Sequence, residues 1–169
     1  MSQSTSILPP HSLPENLLPD GKKIAYVQAG WHREIVEQSQ FAFTDHLLDQ
    51  GVSRDQIAVF DVPGSLEIPL QCKLLANSGD FALIVAAGLI VDGGIYRHDF
   101  VASTVLDSMM SVQLETTVPI LSVVLTPHHY SGDQAHHDFF FEHFKYKGEE
   151  AGRACLQTLE NIYRMKQAV

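Results

Sequence analysis

The sequence predicts a three-layer α/β/α sandwich with a four-stranded parallel sheet, and two observations carry that prediction. Short apolar segments alternate with segments whose apolar residues recur every three or four positions, which are the patterns of strand and helix. The segment from Phe81 to Gly88 is almost wholly apolar, as in a strand that helices cover on both faces. The predicted order of elements is therefore β-α-β-α-β-α-β-α, in which a helix crosses over between each pair of successive parallel strands.

The first βα unit is predicted near the start of the chain. KKIAYVQA, at residues 22–29, is typical of a buried strand, and Gly30 ends it. Residues 31–48 then form a helix, which the stop signal Gly51 follows. The apolar residues at helical spacing in this segment are Val36, Phe43 and Leu47.

The second βα unit follows directly. QIAVFDV, at residues 56–62, is the predicted strand, and the turn Pro63-Gly64-Ser65 breaks it. The helix is predicted from Leu66 to Asn77, because Pro69 falls in the first turn, where its missing amide costs nothing.

The last two units complete the sheet. PILSVVL, at residues 119–125, is the fourth strand. The third helix is marked by apolar steps of four, four and three, at Val101, Val105, Met109 and Val112. A polar loop is predicted over residues 126–137, and the last helix is predicted to open near Gly148. One face of that helix carries Ala151, Cys155, Thr158 and Ile162.

Composition bounds the function. A single domain is predicted over residues 22–169, after an arm at residues 1–21 that holds four of the eight prolines and is expected to be extended or disordered. The formal net charge of −9 argues against nucleic-acid binding, which depends on neutralising phosphates. No run approaches the roughly 18 apolar residues of a membrane span, and no signal peptide is evident, so we expect a cytoplasmic protein. Cys72 and Cys155 are expected to be reduced core residues.

The carboxyl ends of the strands are where such a sheet binds ligands. Gly93-Gly94 follows the third strand and precedes a helix, so free amides and the helix macrodipole favour an anion such as phosphate there. Trp31, after the first strand, is either an aromatic that caps the core or a stacking platform for a planar heterocycle. Glu67, after the second strand, is placed either to complement a helix dipole or to bind sugar hydroxyls.

Histidines cluster late in the chain, and they raise the alternative of a metal site. Neither H-x-x-x-H nor H-E-x-x-H stands on a predicted helix, so no metal is predicted. The cluster is His128, His129, His136, His137 and His143. The phenylalanines among them, Phe139, Phe140, Phe141 and Phe144, are typical of a subunit contact or of a lid over the core.

Three separated motifs, in the right order, resemble lumazine synthase. They are VPGSLEIPL at residues 62–70, AAGLIVDGGIYRHDFV at residues 86–101 and KYKGEEAGRACLQ at residues 145–157, and the resemblance covers residues 22 to about 165. It implies a flavodoxin-like fold and a transferase of riboflavin biosynthesis. The implied reaction condenses 5-amino-6-(D-ribitylamino)uracil with 3,4-dihydroxy-2-butanone 4-phosphate to give 6,7-dimethyl-8-ribityllumazine, without a metal or redox cofactor.

The resemblance also implies the residues that bind ribitylaminouracil. Trp31 takes the position of an aromatic that stacks on the pyrimidinedione ring, and Ser122 takes a position that the neighbouring subunit contributes. The other residues are Ser65, Leu66 and Glu67 for the ribityl chain, and Leu89, Ile90 and Val91 for the edge of the heterocycle.

Phosphate is implied to bind at Gly93, Gly94 and Ile95, with Lys147 nearby. The family's phosphate-clamping arginine is missing. Counting from the two sides of the loop places either His136 or Phe139 at its position, which implies weaker binding of the phosphorylated substrate.

The proton donor departs from the family pattern as well. Arg97 stands where many members have a histidine, and His98 stands beside it. An arginine binds phosphate well but does not exchange its proton, whereas an imidazole titrates near neutral pH. Adjacent helical residues point about 100° apart, so the sequence leaves open which of the two is catalytic.

The histidine-rich loop, Trp31 and the Arg97-His98 pair together resemble a divergent second type of lumazine synthase. That type assembles as a homodecamer of two homopentamers placed face to face. Two other functions stay open on the sequence alone. One is a non-catalytic scaffold that binds flavin or lumazine, and the other is a metal-dependent hydrolase built on the histidine loop.

Overall fold

The computed structural model describes residues 17–19, 21–94 and 97–169, and it confirms the three-layer α/β/α sandwich. The strands are β1 Lys23–Ala29, β2 Ile57–Val62, β3 Phe81–Leu89 and β4 Ile120–Leu125. The helices are α1 Arg33–Asp49, α2 Ile68–Ser78, α3 His98–Thr116 and α4 Gln134–Gln167. Short 3-10 turns at Arg54–Gln56 and Ser65–Glu67 precede β2 and α2.

The sheet is parallel throughout, with the strand order β2-β1-β3-β4. Successive residues of β1 alternate between two cores because side chains of a strand point to opposite faces. Ile24 and Tyr26 pack into the core beneath α1 and α4, whereas Ala25 and Val27 pack into the core beneath α2 and α3. Both faces of the sheet are therefore covered, as the apolar third strand predicted.

The contact between α1 and α4 is unusually close at Gly148. A Cβ atom at this position would lie 2.2 Å from the Ser39 carbonyl oxygen, so the glycine lets the two backbones touch. The side-chain hydroxyl of the same residue, Ser39, accepts a 2.7 Å hydrogen bond from the buried Tyr26 hydroxyl. Burial raises the pKa of Tyr26, and the hydroxyl stays protonated as a donor. The helix pair is thereby tied to the sheet.

The predicted start of the last helix is wrong, because α4 begins at Gln134 and not near Gly148. The Asp133 carboxylate caps it by accepting from the His136 amide at 2.9 Å, so the last residues of the predicted loop 126–137 are helical. Phe140, Phe144 and Gly148 continue the spacing of Ala151 toward the N-terminus, and Phe144 is fully buried. That periodicity was the sequence signal for the longer helix, and the surrounding histidines concealed it.

The predicted arm, residues 1–21, lies almost entirely outside the described residues. At its end, Leu17 is buried and Leu18 packs against the core beneath α1 and α4. Within the described part of the chain, none of the helices combines the length and the apolar character that crossing a membrane requires.

Candidate active site

The strand register brings three of the predicted ligand segments to one edge of the sheet. Ala29 pairs with Val62, and Gln28 pairs with Ala87, so β1, β2 and β3 end side by side. Trp31 follows the first of these strands, residues 65–67 follow the second and residues 90–94 follow the third. The predicted convergence of these segments is therefore seen in a single chain.

Trp31 presents an open indole at this edge. Its side chain is 71% exposed, which is uncommon for tryptophan and excludes the interpretation that it caps the core. The next residue, His32, has φ 54° and ψ 41°, a left-handed conformation that costs a non-glycine residue about 1–3 kcal/mol. The His32 ring packs edge-to-face on Tyr130, with the ring centroids 5.4 Å apart. The backbone around Trp31 is thus held while its indole stays free to stack.

Gly64 lies between Trp31 and Glu67. A Cβ atom at Gly64 would lie 3.3 Å from the indole nitrogen and 3.2 Å from a Glu67 carboxylate oxygen, so the two side chains flank one small space. The N–H edge of the indole and a hydrogen-bond acceptor therefore both border this glycine. Leu66, beside Glu67, is also exposed.

Ser65 is joined to the end of β3. Its hydroxyl oxygen would lie only 2.7 Å from a Cβ atom at Gly88, so this glycine leaves room for the serine side chain. Ser65, Leu66 and Glu67 form a single 3-10 turn, and the turn fixes the serine against β3 while Glu67 faces the indole.

The residues predicted to bind the edge of the heterocycle, at positions 89–91, are largely buried in the core. Leu89 packs beneath α1 and α4, and Ile90 packs on the opposite side of the sheet. The Ile90 amide donates to the Leu125 carbonyl at 2.9 Å. Of the three, Val91 is the least buried, so it is the side chain best placed to meet a ring.

The glycine loop differs from the expectation of free amides. Gly94 has φ 75°, which suits glycine, and its amide donates to the Asp92 carboxylate at 3.1 Å. An anion that takes this amide therefore replaces a carboxylate. Gly93 is exposed, and the predicted phosphate-binding Ile95 lies outside the described residues.

Arg97 and His98 stand at the start of α3. The Arg97 guanidinium lies 3.1 Å from the Asp99 carboxylate and 4.0 Å from the centre of the Phe100 ring. Partial desolvation raises the pKa of Asp99, but the hydrogen bond and charge of Arg97 outweigh it and hold that pKa below its ordinary value. His98, the first helical residue, is partly buried. Arg97 is therefore exposed and cationic, with an anionic neighbour.

Two predicted site residues are not brought to this group within one chain. Ser122 pairs with Ala86, about 10 Å along the strand from the end of β4. Lys147 forms an ion pair with Glu150 at 2.8 Å and lies about 20 Å along α4 from its start. Their roles stay predictions, and the role of Ser122 requires a second subunit.

His136 belongs to the cap of α4. Its Nδ1 accepts from the Ser131 amide at 2.8 Å, so the neutral ring carries its proton on Nε2. The Ser131 hydroxyl donates to Asp133 at 2.6 Å, and with the backbone bond from His136 this lowers the pKa of Asp133. The hydrogen bonds among Ser131, Asp133 and His136 therefore stabilise the N-terminus of α4.

The histidine-rich region is an aromatic cluster in the structure. Tyr130 lies 5.9 Å from His136 and 5.6 Å from Phe140, measured between ring centroids. Phe139, which is exposed, stacks on His143 at 5.5 Å. Over residues 17–19, 21–94 and 97–169, no three histidine, cysteine or acidic side chains converge as a metal site requires.

Asp61 is the residue near the site that the sequence interpretation missed. Its carboxylate accepts from the Gln28 amide at 2.8 Å and from the Arg33 guanidinium at 3.1 Å. The signal was present, because Gln28 and Asp61 each precede the last residue of a strand and a parallel register pairs them. Polar residues in the strands QIAVFDV and KKIAYVQA carried that information.

Comparisons with known proteins show which family the sequence matches. The family model described as 6,7-dimethyl-8-ribityllumazine synthase matches residues 21–162. A protein of Pseudomonas syringae pv. tomato named 6,7-dimethyl-8-ribityllumazine synthase 2 is 50% identical over 146 residues, 86% of each chain. A Rhodococcus erythropolis protein named 6,7-dimethyl-8-ribityllumazine synthase is 51% identical over 142 residues, 84% of this chain and 92% of its own.

A third relative, from Bradyrhizobium diazoefficiens and named 6,7-dimethyl-8-ribityllumazine synthase 2, is 47% identical over 148 residues, 88% of each chain. The resemblance in the three sequence motifs is thereby confirmed, and the non-catalytic scaffold is not favoured. The chain belongs to the 6,7-dimethyl-8-ribityllumazine synthase family, transferases of riboflavin biosynthesis.

Proposed function

We propose that this chain condenses 5-amino-6-(D-ribitylamino)uracil with 3,4-dihydroxy-2-butanone 4-phosphate at the edge formed by β1, β2 and β3. The observation that supports this site best is the open Trp31 indole facing Glu67 across Gly64. A planar, amphipathic ring stacks well on an exposed indole, and a carboxylate beside it accepts hydrogen bonds from ribityl hydroxyls.

The reaction needs no redox step. The 5-amino group attacks the ketone and water leaves to give an imine. Loss of a proton and of phosphate then gives an enol, which tautomerises to a methyl ketone. The ribityl-bearing nitrogen closes onto this ketone with loss of a second water. Holding the two reactants in one orientation supplies about 7–11 kcal/mol of barrier reduction, so much of the acceleration comes from binding.

The residues divide between the two substrates. Trp31 stacks on the pyrimidinedione ring, and Ser65 with Glu67 binds the ribityl chain, while Val91 meets the edge of the heterocycle. Phosphate binds at Gly93-Gly94 and Arg97, whose guanidinium is exposed at the start of α3. His98, directly beside Arg97, carries the proton that the imine and elimination steps exchange.

Substitution of Arg97 and His98 separates these roles. Arg97→Ala is expected to raise the KM of the phosphorylated substrate about tenfold, because a charge-assisted hydrogen bond is lost. His98→Ala is expected to lower kcat about tenfold, less than general acids usually supply, because orientation provides most of the acceleration. Steady-state assays that follow lumazine absorbance, with both substrates varied, measure both constants.

Arg54→Ala is the matched control, since Arg54 precedes β2 and therefore lies at the opposite edge of the sheet. If Arg97→Ala and His98→Ala both behave like this control, neither residue handles phosphate or proton. A wild-type chain with no rate above the uncatalysed background would overturn the proposed function.

We also propose that the active unit is a homopentamer in the cytoplasm, paired face to face as a decamer. Apolar side chains four residues apart stay exposed along α3, along α2 and in the 3-10 turn before α2, a pattern typical of subunit contacts. They are Leu66, Leu70 and Leu74 beside Leu106, Met110 and Leu114. The stacked rings of Phe139, His143 and Tyr146 support a second contact, between pentamers.

Two buried free thiols, each with its pKa raised by burial to about 12, fit a reducing compartment.

Leu114→Glu tests the pentamer. This side chain is 72% exposed in one chain, so the substitution changes the fold of a subunit little but places a charge in the proposed contact. Sedimentation velocity should show ten-chain particles for the wild type and single chains for the variant, with activity lost because Ser122 reaches the site from a neighbour. Met165→Glu, at an exposed position near the end of α4, should leave the assembly intact. A monomeric wild type would contradict the proposal.

A further inference from the structure

Asp61 links the sheet to the start of α1 through two separate hydrogen bonds. One carboxylate oxygen accepts from Gln28, whose side chain is only 5% exposed, and the other accepts from Arg33, the first residue of α1. The first bond anchors the carboxylate to a buried group of β1. The second is an exposed ion pair that connects the same carboxylate to the first residue of the helix.

The same two bonds enclose Trp31. Only four residues separate Gln28 from Arg33, and Trp31 is the third of them. Its indole is mostly exposed, so few side-chain contacts fix its orientation. What fixes it is the backbone, and His32 in that short segment adopts the left-handed conformation that its surroundings must maintain.

Two further contacts hold the segment from other sides. The Gly30 amide donates to the Val62 carbonyl at 2.8 Å, and the His32 ring packs on Tyr130. On the side of α1, the Asp61 carboxylate accepts a hydrogen bond from Arg33, the residue that follows His32. The segment is therefore fastened on each side of the indole.

The geometry points to Asp61 as a positioning residue for the reaction, which sets the angle at which Trp31 stacks on the pyrimidinedione ring. This inference rests on the proposed function, because it takes Trp31 as the stacking residue. Asp61 acts through Gln28 and Arg33 and is not placed in contact with substrate.

A carboxylate is the group that this role requires. The Gln28 amide nitrogen and the Arg33 guanidinium both donate to Asp61, and its two carboxylate oxygens accept the two bonds at the same time. The hydrogen bond from Gln28, followed by the hydrogen bond and charge of Arg33, lowers the pKa of Asp61 despite its partial desolvation. Asparagine has nearly the same shape but no charge, so Asp61→Asn removes the ion pair with Arg33 while keeping the volume.

The experiment combines Asp61→Asn with Trp31→Ala in a double-mutant cycle. Asp61→Asn should raise the KM of ribitylaminouracil about three- to tenfold, the range that one aromatic stacking interaction covers. The KM of the phosphorylated substrate should change less than about twofold, within the error of independent sites. In the Trp31→Ala background the same substitution should have no further effect.

Trp31 is also the only tryptophan, so its fluorescence reports directly on the segment. Asp61→Asn should increase quenching by acrylamide and weaken the quenching that ribitylaminouracil causes. Glu160→Gln is the matched control, because it removes the charge of a carboxylate that pairs with an arginine, Arg164, near the far end of α4.

The outcomes separate this inference from the proposed function. If Trp31→Ala weakens ribitylaminouracil binding and Asp61→Asn does not, the positioning role is wrong and the proposed function stands. Equal effects of Asp61→Asn with and without Trp31 would show that Asp61 acts elsewhere, which also overturns the inference. If Trp31→Ala itself leaves substrate binding unchanged, the stacking role in the proposed function is wrong and the inference falls with it.

Discussion

Gly148→Ala is expected to lower the free energy of unfolding by about 3 kcal/mol or more. An alanine Cβ at this position would lie 2.2 Å from the oxygen and 2.8 Å from the carbonyl carbon of Ser39. Both are backbone atoms of α1, so no side-chain rotation relieves the overlap and the two helices must separate. Separation also strains the buried hydrogen bond between Tyr26 and Ser39.

Urea titration followed by circular dichroism, at a fixed chain concentration, measures this loss. Gly152→Ala is the control on the same helix, because its Cβ would meet the His46 ring, at 2.7 Å, which can turn away. Its loss should stay below about 1.5 kcal/mol, and helix propensity favours alanine over glycine by about 1 kcal/mol at both sites. Equal stabilities for the two variants would refute the close helix contact.

Gly64→Val is expected to lower kcat/KM about a hundredfold, the cost that a displacement of about 1 Å has in an oriented site. The valine side chain would fill the space between the Trp31 indole and the Glu67 carboxylate. The effect should fall mainly on the KM of ribitylaminouracil. Stability should change little, because φ −152° and ψ −178° at Gly64 are extended values that any residue adopts.

Gly64→Ala provides the graded comparison. Its single methyl group would lie 3.2–3.3 Å from both neighbours, which requires a shift of only a few tenths of an ångström. The assay should therefore show a clearly smaller loss than for valine, with thermal midpoints of both variants close to that of the wild type. If valine is tolerated without loss of activity, the substrate does not occupy the space beside Trp31.

The parallel sheet and the edge that holds the candidate site were predictable because both depend on local patterns. Apolar runs of strand length fixed β1 to β4 within a residue or so, and turn residues after β2 marked the Ser65–Glu67 segment. The position of Trp31 at the end of β1 placed it at the ligand edge by topology alone. Its exposure was not predictable, since a capping aromatic has the same sequence.

Other features depend on contacts that a linear pattern does not contain. The early start of α4 required the Asp133 cap and the packing of Phe144 to outweigh several histidines, which are indifferent helix formers. Gly148 marked a helix start in the sequence, whereas its actual role is the approach to Ser39. The Asp61 carboxylate joins residues that lie 28 and 33 positions away, so only the sheet register reveals it.

The carboxylates that already occupy the proposed phosphate site affect the energetics of turnover. Asp92 takes the Gly94 amide and Asp99 takes the Arg97 guanidinium, each at 3.1 Å. For a phosphate bound as proposed, binding is thus an exchange of one anion for another, and its driving force is the advantage of a dianion over a carboxylate. The same exchange in reverse neutralises the site as inorganic phosphate departs. If phosphate binds as proposed, the donors are paired with carboxylates between turnovers, at the expense of affinity for the phosphorylated substrate.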